Sequence, residues 1–144
     1  MYRHILVTLD GSPRGEAVIP HAIHLALSMG AELTLLRVVD TISAEWSERG
    51  VLGRPSGRSP LADHAEAYVG RIATAVRERG VKTHTTVRQG APAQQIMAAV
   101  KELDVDAIAM ATHSRRGFNR LMFGSVAEQV LHESSLPVLL IRAE

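Results

Sequence analysis

The segments "DAIAMA" (residues 106–111) and "PVLLIR" (residues 137–142) place apolar side chains at consecutive positions, without a regular polar alternation. A strand written this way is buried on both faces, as strands are in a parallel sheet covered by helices. Between the two, Ala127, Val130 and Leu131 recur at helical spacing. Strand, helix and strand in this order predict a right-handed crossover that joins two parallel neighbours.

The same alternation extends toward the N-terminus. "HILVTL" from residue 4 and "ELTLLRVV" from residue 32 are further apolar runs, whereas "VKTHTTV" from residue 81 alternates and suits a strand near an edge. Helical spacing returns in Ala65, Tyr68, Val69, Ile72 and Val76, and again in Ala93, Ile96, Met97 and Val100. The pattern predicts an α/β fold: a doubly wound, five-stranded parallel sheet of order 3-2-1-4-5 with about four helices, formed by residues 1–144 as a single domain. Pro20 falls inside a first helix that starts near Arg14, which predicts a kink. Pro92 suits the first turn of the third helix, after Gly90 has turned the chain out of its strand. Residues 41–60, rich in Gly, Pro, Ser and Arg, predict one long loop at the ligand-binding edge, with Trp46 either packing it down or covering the crevice.

Composition narrows the function. Hydrophobic residues make up 46% and charged residues 22% of the 144, and the net charge is only +1. That balance argues against a general nucleic-acid or membrane surface and leaves a local positive field as the relevant kind. The absence of cysteine excludes disulfides, thiolate metal sites and a cysteine nucleophile, and it fits a reducing compartment. "MYRHILVTLD" lacks the long apolar run of a signal peptide, and no run approaches the ~18 residues of a membrane span, so a cytoplasmic location is expected.

In an open α/β sheet the crevice lies beyond the carboxyl ends of the strands, where the strand order reverses. Strands one and four flank that point, ending at Leu9 and Asp10 and at Ala111 respectively. Strand four leads directly into "ATHSRRGFNRLMFGSVAEQV" (residues 111–130), where Gly124 and Ser125 open the fourth helix. Unpaired backbone N–H groups and the positive end of the helix dipole suit an anion there. Glycine allows close approach, the serine hydroxyl adds a donor, and Arg115, Arg116 and Arg120 could hold charge. The plainer alternative makes Ser125 an N-cap and the arginines a solvated loop.

These residues resemble the universal stress protein family. "ILVTLDGS" resembles its first strand and aspartate, "LLRVVD" its second strand, and "ATHSRRGFNRLMFGSVAEQVL" with "PVLLIR" its C-terminal signature. The resemblance covers essentially the whole chain and implies an adenine nucleotide alpha hydrolase-like sheet that binds ATP. It places Leu9 and Asp10 near the adenine and ribose, backbone at Val38 against adenine, and Gly124, Ser125 and Val126 around the phosphates. Ala111, His113, Ser114 and Arg115 fall in the first half of the motif. There the nucleotide-binding members carry glycine where this chain has Ala111 and Ser114, although the nine-residue spacing to Gly124 is kept.

Other chemistry is poorly served. His21 and His24 share a helix face without a third ligand at metal spacing, whereas magnesium accompanying ATP would be held by the phosphates and one or two protein groups. Asp10, His113 and Ser125 lack the context of a hydrolytic triad, and no Walker lysine or Gly-x-Gly-x-x-Gly fingerprint is present. Three functions therefore stand: an ATP-binding stress-response module, a dimeric scaffold of the same fold that works through protein contacts, and a slow ATPase. A homodimer is expected through Val138, Leu139, Leu140 and Ile141, because an apolar last strand at a sheet edge invites association.

Overall fold

The structure is a computed structural model that describes residues 1–40, 60–112 and 124–143. Its elements are β1 (His4–Leu9), a 3-10 turn (Gly15–Ala17), α1 (Val18–Met29), β2 (Glu32–Val39), α2 (Pro60–Glu78), β3 (Thr83–Gln89), α3 (Pro92–Leu103), β4 (Ala107–Thr112), α4 (Ser125–Glu133) and β5 (Val138–Arg142). The five strands are parallel and lie in the order β3-β2-β1-β4-β5, as the alternation predicts. Of the loop expected over 41–60, residues 41–59 lie outside the described residues and Pro60 opens α2.

Strand parity sorts the core into two layers. Ile5, Val7, Leu9, Leu33 and Leu35 point to one face, where Val18, Ala22 and Ala26 of α1 and Val69, Ala73 and Val76 of α2 cover them. Leu6, Leu36, Val38, Ile108 and Met110 point to the other, under Ala93, Ile96 and Ala99 of α3 and Ala127 and Val130 of α4. Small residues on the helices let them lie close to branched side chains on the sheet, and fully burying each such side chain contributes about 1.5–3 kcal/mol.

Two expectations need correction. Pro20 does not kink a helix interior: a 3-10 turn precedes α1, and Pro20 is the third residue of the α-helix, in the first turn, where a backbone N–H has no helical partner to lose. Strand β3 covers Thr83–Gln89 rather than starting at Val81. Val81 is instead buried in the first core layer, and the Arg77 guanidinium, donating to the Thr83 carbonyl at 2.7 and 3.0 Å, ties the end of α2 to the start of the strand. Gly90 and Pro92 behave as expected. Gly90 has φ +143°, a conformation that favours glycine, and Pro92 opens α3.

At the amino ends of the strands the Glu32 carboxylate faces His84 Nε2 and Lys82 Nζ at 3.5 Å each and His4 Nδ1 at 3.8 Å. Burial opposes its charge, but the hydrogen bond to His84 and the neighbouring positive charges outweigh that and hold its pKa below the ordinary value. A depressed carboxyl stabilises the fold above the unfolded pKa of about 4.3 and loses that contribution as pH falls through its lower folded value. Thermal unfolding of the parent and Glu32→Gln should therefore differ most above pH ~4.3 and converge below it. A gap that widens on acidification would contradict this.

Candidate functional site

A cavity of about 1100 Å³ opens beyond the carboxyl ends of the strands, between the exits of β1, β2 and β4 and the first turn of α4. Leu9, Asp10, Val38, Ala111, Gly124, Ser125 and Val126 all line it. His113, Ser114 and Arg115 lie outside the described residues, as do Arg116 and Arg120. The sheet thus brings together every described residue that the sequence singles out for the site.

On the β4 side the wall is the start of α4. Gly124 is the N-cap and Ser125 the first helical residue, so the serine is not the cap that the plainer reading makes it. Thr112 Oγ1, buried at the end of β4, accepts the Gly124 N–H at 3.2 Å. The first intrahelical bond runs from the Glu128 N–H to the Gly124 carbonyl at 3.0 Å. The N–H groups of Ser125, Val126 and Ala127 therefore have no intrahelical acceptor and stand at the cavity rim with the positive end of the helix dipole. Among the described residues, a Cβ built on Gly124 meets no atom within 4 Å, so this glycine leaves open space beside those donors. Together they suit a phosphate.

On the β1 side Asp10 is held in one orientation. Its Oδ1 accepts the Ser12 N–H at 2.9 Å and the Ser12 hydroxyl at 2.6 Å, while Ser12 Oγ accepts the Gly15 N–H at 3.1 Å. Gly15 makes room for the carboxylate, since a Cβ there would lie 2.3 Å from Asp10 Oδ1. Gly11 takes φ +84°, a left-handed turn that favours glycine and swings the chain off the sheet.

The far wall holds residues that the sequence reading does not assign to the site. Arg37, from β2, lies against Gly11 and donates to the Val38 carbonyl. His64, Tyr68 and Arg71 recur on one face of α2 and line the same cavity. The Tyr68 hydroxyl is buried and, among the described residues, has no partner in good hydrogen-bond geometry, although the Glu16 carboxylate lies close enough to act on it. Burial, then Glu16 and Asp10, raises its pKa above the usual tyrosine range, with Arg37 opposing them. An unpaired buried hydroxyl destabilises the fold, so Tyr68→Phe should raise stability by about 1 kcal/mol. For a chain of this size that is a rise in Tm of about 3 °C in calorimetry. A fall in Tm would mean that the hydroxyl has a bonding partner.

Among the described residues no group of three or more His, Cys, Asp or Glu is placed to hold a metal ion, and His21 and His24 are both exposed. Nor, among them, is any helix long and apolar enough to cross a membrane.

Fold and crevice define a doubly wound α/β protein with an anion-suited helix terminus at its switch point. Residues 1–142 match the model of the universal stress protein family, and the chain belongs to that family. It is 30% identical to universal stress protein MJ0531 of Methanocaldococcus jannaschii, over 99% of this chain and 83% of that one. The solved structure of MJ0577, from the same organism, superposes with a TM-score of 0.81 at 24% identity, covering 100% of this chain and 98% of the other. The Archaeoglobus fulgidus universal stress protein in complex with dAMP superposes with a TM-score of 0.70 at 20% identity, covering 97% and 98%.

Proposed function

We propose that the protein is a cytoplasmic, nucleotide-responsive stress module whose single domain, residues 1–144, binds ATP in this crevice and works as a homodimer. The observation that carries the reading is the start of α4. The N–H groups of Ser125 and Val126, which have no intrahelical acceptor, stand at the cavity beside Gly124, whose Cβ position meets no described atom within 4 Å. That is the chemistry a polyphosphate needs, with magnesium held mainly by the phosphates themselves. The fixed carboxylate of Asp10 suits ribose hydroxyls, since a carboxylate only accepts hydrogen bonds and a sugar hydroxyl can donate them. The ends of β1 and β2 then receive the adenine, with Leu9 and Val38 beside it. The dAMP bound by the Archaeoglobus fulgidus relative is in keeping with an adenine nucleotide. In this reading bound ATP acts by its occupancy of the crevice.

The scaffold reading rests on Ala111, whose Cβ stands at the cavity wall where the family's nucleotide-binding members carry glycine. Calorimetric titration with Mg-ATP separates the two. The parent should bind one equivalent, and the double variant Ala111→Gly, Ser114→Gly should bind about tenfold more tightly, the equivalent of ~1.4 kcal/mol of relieved crowding. No binding by the parent with firm binding by the double variant would make this chain a scaffold that has lost its site.

A further inference from the structure

The base end of the crevice holds a cation of the protein's own. Arg37 pairs with Leu9 in the last rung of the β1–β2 ladder, and beyond that rung β1 turns away through Asp10 and Gly11. The Val39 carbonyl accepts the Gly90 N–H on the β3 side. In a parallel ladder the neighbouring residue directs its carbonyl the other way, so the Val38 carbonyl points toward β1, past the rung at which β1 stops offering partners. Arg37 fills that gap. Its Nη1 donates to the Val38 carbonyl, and a Cβ built on Gly11 would lie 3.1, 3.3 and 3.4 Å from its Nε, Nη2 and Cζ. Three guanidinium atoms at nearly equal distances mean that the fork lies flat across the glycine, which a side chain at position 11 would prevent.

With the phosphates at the start of α4 on the β4 side, the nucleotide reading sends the base across β1 to this β2 end. A purine 6-amino group can only donate, and the Val38 carbonyl, beyond the last β1–β2 rung, is an acceptor at this end of the cavity. We infer that Arg37 sets the base selectivity of the site: by donating to the Val38 carbonyl it competes for the acceptor that would favour a 6-amino purine, and it presents N–H donors that match a 6-oxo purine instead. The inference rests on the nucleotide-binding reading and adds to it that the pocket discriminates weakly between adenine and guanine nucleotides. Arginine suits this because its planar fork satisfies purine oxygen and ring nitrogen together.

The test compares Mg-ATP, Mg-GTP and magnesium tripolyphosphate on the parent, Arg37→Met and Arg37→Lys, by calorimetry. The parent should bind the two nucleotides within about threefold of each other. Arg37→Met keeps the apolar stem but removes the donors, so ATP should tighten by about tenfold while GTP weakens or stays level; Arg37→Lys should fall between. Tripolyphosphate, which carries no base, should bind all three proteins alike. A parent that prefers ATP by tenfold or more, or an ATP-to-GTP ratio unmoved by Arg37→Met, overturns the inference while leaving nucleotide binding intact. Failure of every ligand on every protein overturns the nucleotide reading, and the inference with it.

Discussion

Gly124→Val should lower the affinity for Mg-ATP by more than about a hundredfold while leaving the fold unchanged. Gly124 has φ −47° and ψ 157°, outside the left-handed region that favours glycine, and among the described residues a Cβ there meets nothing within 4 Å. Neither a positive φ nor packing against the described residues requires the glycine. A valine side chain would stand in front of the Ser125 and Val126 N–H groups, and losing two hydrogen bonds to a charged acceptor at about 1.5–3 kcal/mol each accounts for the size of the effect. Equal Tm values for the two proteins, with calorimetric titration of each, check both halves of the statement. Binding equal to the parent's would put the phosphates somewhere else.

The second large effect is on assembly. Strand β5 ends the sheet, and its outer backbone groups have no strand beside them among the described residues. Val138 and Leu140 pack under α3 and α4, but Leu139, on the opposite face beyond the cover of α1, is 37% exposed. An apolar edge of this kind associates unless something blocks it, and two copies related by a two-fold axis can pair their edges antiparallel. Sedimentation at micromolar concentration should show a dimer for the parent and a monomer for Leu139→Lys. Leu139 is the cleaner position to change, since Ile141 also packs against the first core layer and a lysine there would destabilise the monomer itself. A parent that sediments as monomer, or a Leu139→Lys protein that stays dimeric, would count against pairing through this edge.

Most of the architecture is legible in the sequence, because burial on both faces leaves a signature in consecutive apolar residues. "DAIAMA" and "PVLLIR" could be placed in a parallel sheet for that reason, and the polar alternation of "VKTHTTV" put β3 at the edge. Pro20 misleads because the preceding residues form a 3-10 turn, whose spacing blends into that of the helix and hides where the α-helix begins. The site divides similarly. Gly124 and Ser125 announce themselves by residue type, whereas Thr112, which takes the Gly124 N–H, reads as one more strand residue. Tyr68 sits in the apolar stripe of α2 and is taken for core, though its side chain also lines the cavity. Arg37 carries no local sign of its role. Its position depends on where β1 stops relative to β2, a matter of register that only the folded sheet decides.

The measurement closest to the central claim is an amide-resolved NMR titration of the full chain with Mg-ATP. The largest shifts should fall on the Ser125 and Val126 N–H groups, with smaller ones at Asp10, Gly11 and Val38, and the amides near Glu32 at the opposite end of the sheet should stay still. Saturating shifts confined to that opposite end, or none at millimolar nucleotide, would contradict phosphate binding at the start of α4.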